Sequence, residues 1–131
     1  MPPAITPRSI GRQHLIGLEL GINVASAALR NEPTGTSKAF LGDVASVAKR
    51  DLEPGEILDG EGGYSVFGRL VHAQESRANG YLPMGLSGNA RVTRSVPKDE
   101  ILTYADVALD ESQFAYKLRK EMEKDFFPGI S

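Results

Sequence analysis

Cysteine is absent from the 131 residues, which excludes disulfides, cysteine-ligated zinc and thiol catalysis. Histidine is scarce: His14 and His72 are the two, and they stand too far apart in sequence to read as a metal pair. Positive charge is not in excess, since fifteen Lys and Arg oppose seventeen Asp and Glu for a net charge of −2. No basic footprint for nucleic acid results, and no nucleic-acid partner is expected. Long apolar runs are missing too; none approaches the ~18 residues of a membrane helix. The opening Met1-Pro2-Pro3-Ala4-Ile5-Thr6-Pro7-Arg8 contains no signal-peptide core. These absences lead to the expectation of a soluble, cytoplasmic domain without a membrane partner. No P-loop or serine-hydrolase elbow is present. A dinucleotide fingerprint needs a strand, a tight glycine turn and a helix N-terminus for the pyrophosphate. Glu61-Gly62-Gly63 has the glycines without that spacing or a following helix. No catalytic residue, metal ligand or cofactor site is therefore assigned within the chain.

What is present amounts to one ordinary domain, and a hydrophobic content of 40% is too high for a disordered chain. Three prolines in the first seven residues make residues 1–12 a flexible tail, leaving 13–127 as a single domain. Leu15, Leu18, Ile22, Ala25 and Leu29 follow a helical period, with Gly17, Gly21, Ala25 and Ala28 on a narrow small-residue side. A strand over 15–20 ending at Gly21 is the competing reading. A nearly all-apolar helix in so small a chain points to burial on two sides, one of them against a partner. Glu19 lies inside this segment. Buried, it needs a partner such as Arg69 or a sugar hydroxyl; otherwise it faces water at the helix edge.

The most informative feature is an internal echo. Ala48-Lys49-Arg50-Asp51-Leu52-Glu53-Pro54-Gly55-Glu56-Ile57-Leu58 returns 44 residues later as Val92-Thr93-Arg94-Ser95-Val96-Pro97-Lys98-Asp99-Glu100-Ile101-Leu102. Each copy reads as a short strand, a tight turn and a second short strand. Pro54-Gly55 fits a type II turn, whose third position needs positive φ. Asp99 stands at the glycine's place, and aspartate tolerates left-handed backbone better than most residues.

Between the copies, Asp59-Gly60-Glu61-Gly62-Gly63-Tyr64 permits a sharp turn with accessible backbone, and residues 64–71 read as a strand. Residues 72–89 show little periodicity and read as a long loop. Asp59 and Glu61 flank Gly60, while Tyr64, Arg69 and His72 follow. Lys49, Arg50 and Arg69 can neutralise a carboxylate or phosphate, with Glu61, Tyr64 and His72 as hydrogen-bonding groups. The plainer alternative for these charges is a solvated face. On a strand Tyr64 and Arg69 fall on opposite faces, so they need not converge. The C-terminus is the clearest helix, expected over about 111–126. Asp110 and Gln113 have capping-box spacing, and Phe114, Leu118, Met122 and Phe126 recur every fourth residue. That stripe is either core or a docking face.

Arg50 through Leu58 and Arg94 through Leu102 resemble the motif of the SAF domain, a small β-clip-like module. The longer run from His14-Leu15-Ile16-Gly17-Leu18-Glu19-Leu20-Gly21 through Asp51–Leu58 and Asp59–Tyr64 is more specific. With Pro83-Met84-Gly85-Leu86 and Arg119-Lys120-Glu121-Met122-Glu123, it is similar to the C-terminal region of bacterial homoserine-dehydrogenase-like oxidoreductases, a family that includes enzymes similar to 1-deoxyxylulose-5-phosphate reductoisomerases. The resemblance implies a mainly β, SAF-like β-clip fold with flanking helices. It also implies a Rossmann-type catalytic domain in cis or in trans, which would carry NAD or NADP. This chain would then be a non-catalytic accessory domain that supports homo-oligomerisation. A small sugar acid or sugar phosphate is the ligand class implied, with Glu19, Lys49, Arg50, Asp59, Glu61, Tyr64, Arg69 and His72 as the binding set. A purely structural assembly module and a small carbohydrate-processing enzyme are the alternatives.

Overall fold

A computed structural model describes Gly17 and residues 20–127. The tail at 1–12, His14 and Glu19 lie outside the described residues. The chain divides into two compact units, one ending at Lys38 and the other beginning at Ala39.

In the first unit, helix α1 (Leu20–Ala25) runs into a π-helical turn, Ser26–Arg30, and Asn31 stops it in the left-handed conformation at φ 55. Leu20, Ile22, Val24 and Leu29 are all more than half exposed. The apolar period is thus helical but carries little burial.

The second unit is organised by the internal echo. Strand β1 (Gly42–Ala48) pairs antiparallel with β2 (Val66–His72) in unbroken register from Gly42↔His72 to Ala48↔Val66. Strand β3 (Arg91–Val92) pairs likewise with β4 (Val107–Ala108). The two copies lock to each other through matched hydrogen bonds. Leu52 and Val96, equivalent positions, exchange both backbone bonds at 2.9 and 3.0 Å. The Ala48 amide donates to Glu100, and the Val92 amide donates to Glu56. Asp99 donates to Ala48 as Gly55 does to Val92, and Leu102 to Ser46 as Leu58 does to Ala90. Each of these bonds maps onto its counterpart under the 44-residue offset, so a local pseudo-two-fold axis passes between Leu52 and Val96. The core follows the same symmetry. Ala48, Leu52 and Leu58 from one copy meet Val92, Val96 and Leu102 from the other, with Val66, Leu82, Ala90 and Val107 completing the cluster.

The turns obey the chemistry of their third residues. Gly55 sits at φ 93 behind Pro54, and Asp99 holds the equivalent place at φ 68. Residues 72–89, which lack periodicity, form helix α2 (Ala73–Asn79) and a 3-10 turn at Met84–Leu86. A seven-residue helix is too short to display an amphipathic period. Helix α3 (Phe114–Phe126) starts three residues after the expected position. Asp110 accepts from the amide and hydroxyl of Ser112 and forms a local turn instead of the helix cap.

Candidate functional site

Three places in the second unit gather polar or exposed groups. The first is the glycine turn at 59–65. The Asp59 carboxylate accepts from the amides of Tyr64 (2.6 Å) and Ser65 (3.0 Å) and from the Ser65 hydroxyl. The Ser65 hydroxyl bond, then the two amides, pull its pKa down from the usual carboxylate value to about 2. A side chain on Gly63 would collide with this carboxylate. The glycines therefore make room for an internal staple, and Lys49 closes it by donating to the Gly63 carbonyl at 2.5 Å. After the second copy the partners are exchanged. Thr103 donates from its amide and hydroxyl to Asp106, and Asp106 also receives Arg94. Burial raises the Asp106 pKa, but Arg94 and Thr103 outweigh it and hold the carboxyl below its usual range. The turn leads into β2, not into a helix, so a pyrophosphate would meet no helix N-terminus there.

The sequence-derived binding set divides around this turn. Lys49, Asp59, Glu61 and Tyr64 come together, with Glu61 exposed and Tyr64 88% exposed. Arg50 is occupied by Glu56 through two bonds of 3.2 and 2.5 Å, and at the equivalent place Arg94 donates to Glu100 once, at 2.6 Å. Arg69 and His72 lie further along β2, about 13 and about 23 Å from Ser65 at strand rise. The Arg69 guanidinium stands 6.0 Å from the Phe67 ring centroid, and His72 holds the position before α2 without a side-chain capping bond. Seven of the eight fall among the described residues, spread from the glycine turn to the end of β2, and Glu19 lies outside them.

The second place escaped sequence reasoning. Asp43 on β1, only 7% exposed, receives Arg119 of α3 in a bidentate pair of 2.9 and 2.6 Å and the Ser76 hydroxyl of α2 at 2.5 Å. Arg119 also donates to Glu123 at 2.7 Å and stacks 4.9 Å from the Phe40 ring centroid. Burial pushes the Asp43 carboxyl up. The hydrogen bonds from Arg119 and Ser76 outweigh that and hold it below its usual range. Next to this cluster Lys120 lies 4.2 Å from the centroid of the Tyr104 ring. The Tyr104 hydroxyl is buried without a partner among the described residues, and burial raises its pKa. Ser76 is 1% exposed and its acceptor is neutralised by a guanidinium, so the cluster offers neither an accessible nucleophile nor a free base. Its work is mechanical: it ties α3 to β1 and α2. The Arg119–Glu123 spacing of four is the one sequence signal that marks the inward face of α3.

No protein-family model matches this chain, and no curated protein matches it. The third place is the free side of β2. Leu41 and Leu70 are 78% and 77% exposed, and Val44 is 44% exposed. With Gly42, Val71, His72 and Glu75, Leu41 and Leu70 line an open cleft of about 470 Å³. Separately, Phe114 and Leu118 on helix α3 are 78% and 50% exposed. Arg119, Lys120 and Glu123 turn inward and Lys117, Glu121, Lys124 and Asp125 stay exposed, while the first half of the helix's apolar stripe faces out. Among the described residues no group of three or more His, Asp or Glu can hold a metal ion. No described helix is long and apolar enough to cross a membrane.

Proposed function

We propose that this chain is a non-catalytic accessory module that holds a larger assembly together. The observation that carries the reading is the exposure of large apolar side chains on ordered elements: Leu41 and Val44 at β1, Leu70 on β2, and Phe114 and Leu118 on α3. Contiguous exposed apolar patches mark interaction sites. The polar groups nearest the glycine turn, by contrast, are engaged in bonds within the fold. The resemblance to SAF-type regions of oxidoreductases supports the same role. Under it, a Rossmann-type domain in cis or in trans performs hydride transfer with NAD or NADP. The paired, pseudo-symmetric strand–turn–strand copies support the SAF-like β-clip frame.

Sedimentation velocity of the chain over a wide concentration range tests the reading. Self-association is expected, together with no saturable binding of sugar acids or sugar phosphates. A second reading, ligand capture, draws on the cleft beside His72 and Glu75. A strictly monomeric chain that binds a sugar phosphate saturably, and loses it on His72→Ala, would establish that reading instead.

A further inference from the structure

We propose that a second copy of this chain adds to the free edge of β2, strand against strand, about a two-fold axis at Leu70. The inference rests on the assembly reading and names its surface. Two backbone bonds, from Lys49 to Ser65 and from Ala73 to Leu41, fix the alternation along β2. Ser65, Phe67, Arg69, Val71 and Ala73 turn their backbone groups toward β1. Gly68, Leu70 and His72 turn theirs away, and among the described residues β2 has no other strand neighbour. Natural edges are blunted by proline, lysine or a bulge. Val66-Phe67-Gly68-Arg69-Leu70-Val71-His72 has neither residue, and its register with β1 is uninterrupted.

Self-pairing is selective. An antiparallel partner must keep the faces in phase, which allows symmetric registers centred on residue 68, 69 or 70. Centring on Arg69 sets two guanidinium groups directly opposite, which is unfavourable. Centring on Gly68 sets two bare backbones opposite. Centring on Leu70 sets Leu70 against its copy, Arg69 against Val71 and Gly68 against His72. Val44 pairs with Leu70 across β1–β2, so this register makes a continuous apolar strip, Val44–Leu70–Leu70–Val44, over a four-stranded sheet. Gly68 keeps the strip low. A side chain there would meet Val44 Cγ1 at 2.5 Å. The interface is smaller than the standard ~1,600 Å² of stable complexes, so the dimer is weak.

Two variants leave the fold intact and act on the edge. Leu70→Lys replaces a side chain that is 77% exposed and places two ammonium groups on the axis. His72→Pro removes one outward amide at a residue whose φ of −66 already suits proline. Sedimentation of the full chain between about 1 and about 100 μM should show mass rising toward twice 14.1 kDa. Each variant should weaken the association about tenfold or more, with circular dichroism and Tm unchanged. The chain has no cysteine, so Leu70→Cys supplies a single thiol facing its copy. It should form a covalent dimer under mild oxidation at least about tenfold faster than Arg69→Cys. Association that ignores both edge variants would overturn the β2 site and leave the assembly reading standing. A chain monomeric at the highest concentration would overturn both. Equal cross-linking of the two cysteine variants would overturn the axis at Leu70.

Discussion

At the scale of single residues, two positions carry a local cost that a substitution can expose. Asp99 occupies the left-handed region at φ 68, where its counterpart Gly55 stands at φ 93. No Cβ penalty attaches to glycine there, while an L side chain pays about 1 kcal/mol, less for aspartate than for most. Asp99→Gly should therefore raise stability by about 0.5 kcal/mol, and Gly55→Ala should lower it by about 1–2 kcal/mol. Urea unfolding of the two variants checks the opposite signs. The Tyr104 hydroxyl is buried with no partner among the described residues, and leaving such a group unsatisfied costs about 1–3 kcal/mol. Tyr104→Phe keeps the ring beneath Lys120 and removes the hydroxyl. It should be neutral or stabilising by about 1 kcal/mol; a loss of stability in thermal melts would show that the hydroxyl has an ordered-water partner.

At the scale of elements, helix α3 is held by charge where its sequence advertises apolar packing. Sequence periodicity locates the helix, because Phe114, Leu118, Met122 and Phe126 repeat at helical spacing. It does not reveal which face turns inward. That choice falls to Arg119, whose bidentate pair with Asp43 bridges 76 positions in the chain, a separation that no local pattern encodes. Removing one partner of a buried pair strands the other charge, at about 3–5 kcal/mol. Arg119→Met should destabilise the fold by about 3 kcal/mol, and Asp43→Asn in the same chain should restore part of the loss. The pair also has a pH signature. Asp43, Asp59 and Asp106 all have folded pKa values below their unfolded ones. Their stabilising effect is complete above the unfolded value near 4 and is lost as pH falls through the folded values, Asp59's being about 2. Urea midpoints should thus fall between pH 5 and pH 2. In Arg119→Met the decline should be shallower, since Asp43 loses the main group that lowers its pKa.

At the scale of the whole molecule, the internal echo was the most legible feature, and its structural meaning was not. Eleven aligned residues announce two strand–turn–strand copies; they do not announce that the copies bond to each other. The glycine turn shows the same limit from another side. Asp59 and its neighbours have the composition of a ligand loop, and only their geometry shows the carboxylate stapled to Ser65. The bonds that define the core run between copies, Leu52 with Val96, Ala48 with Glu100 and Val92 with Glu56, and Leu58 with Ala90 and Leu102 with Ser46 reach the residues just before the opposite copy. Neither copy can satisfy its backbone or cover its apolar side chains alone, so the two must form and melt together. Hydrogen exchange resolves this. The amides of Leu52, Gly55 and Leu58 should exchange with the same opening free energy as those of Val96, Asp99 and Leu102, equal to that of global unfolding. Amides on the exposed helix α1, which contributes no fully buried side chain, should exchange through smaller openings. A gap of more than about 1 kcal/mol between the two copies would mean that one half folds independently of its counterpart, and the pseudo-two-fold core would then be two foldons rather than one.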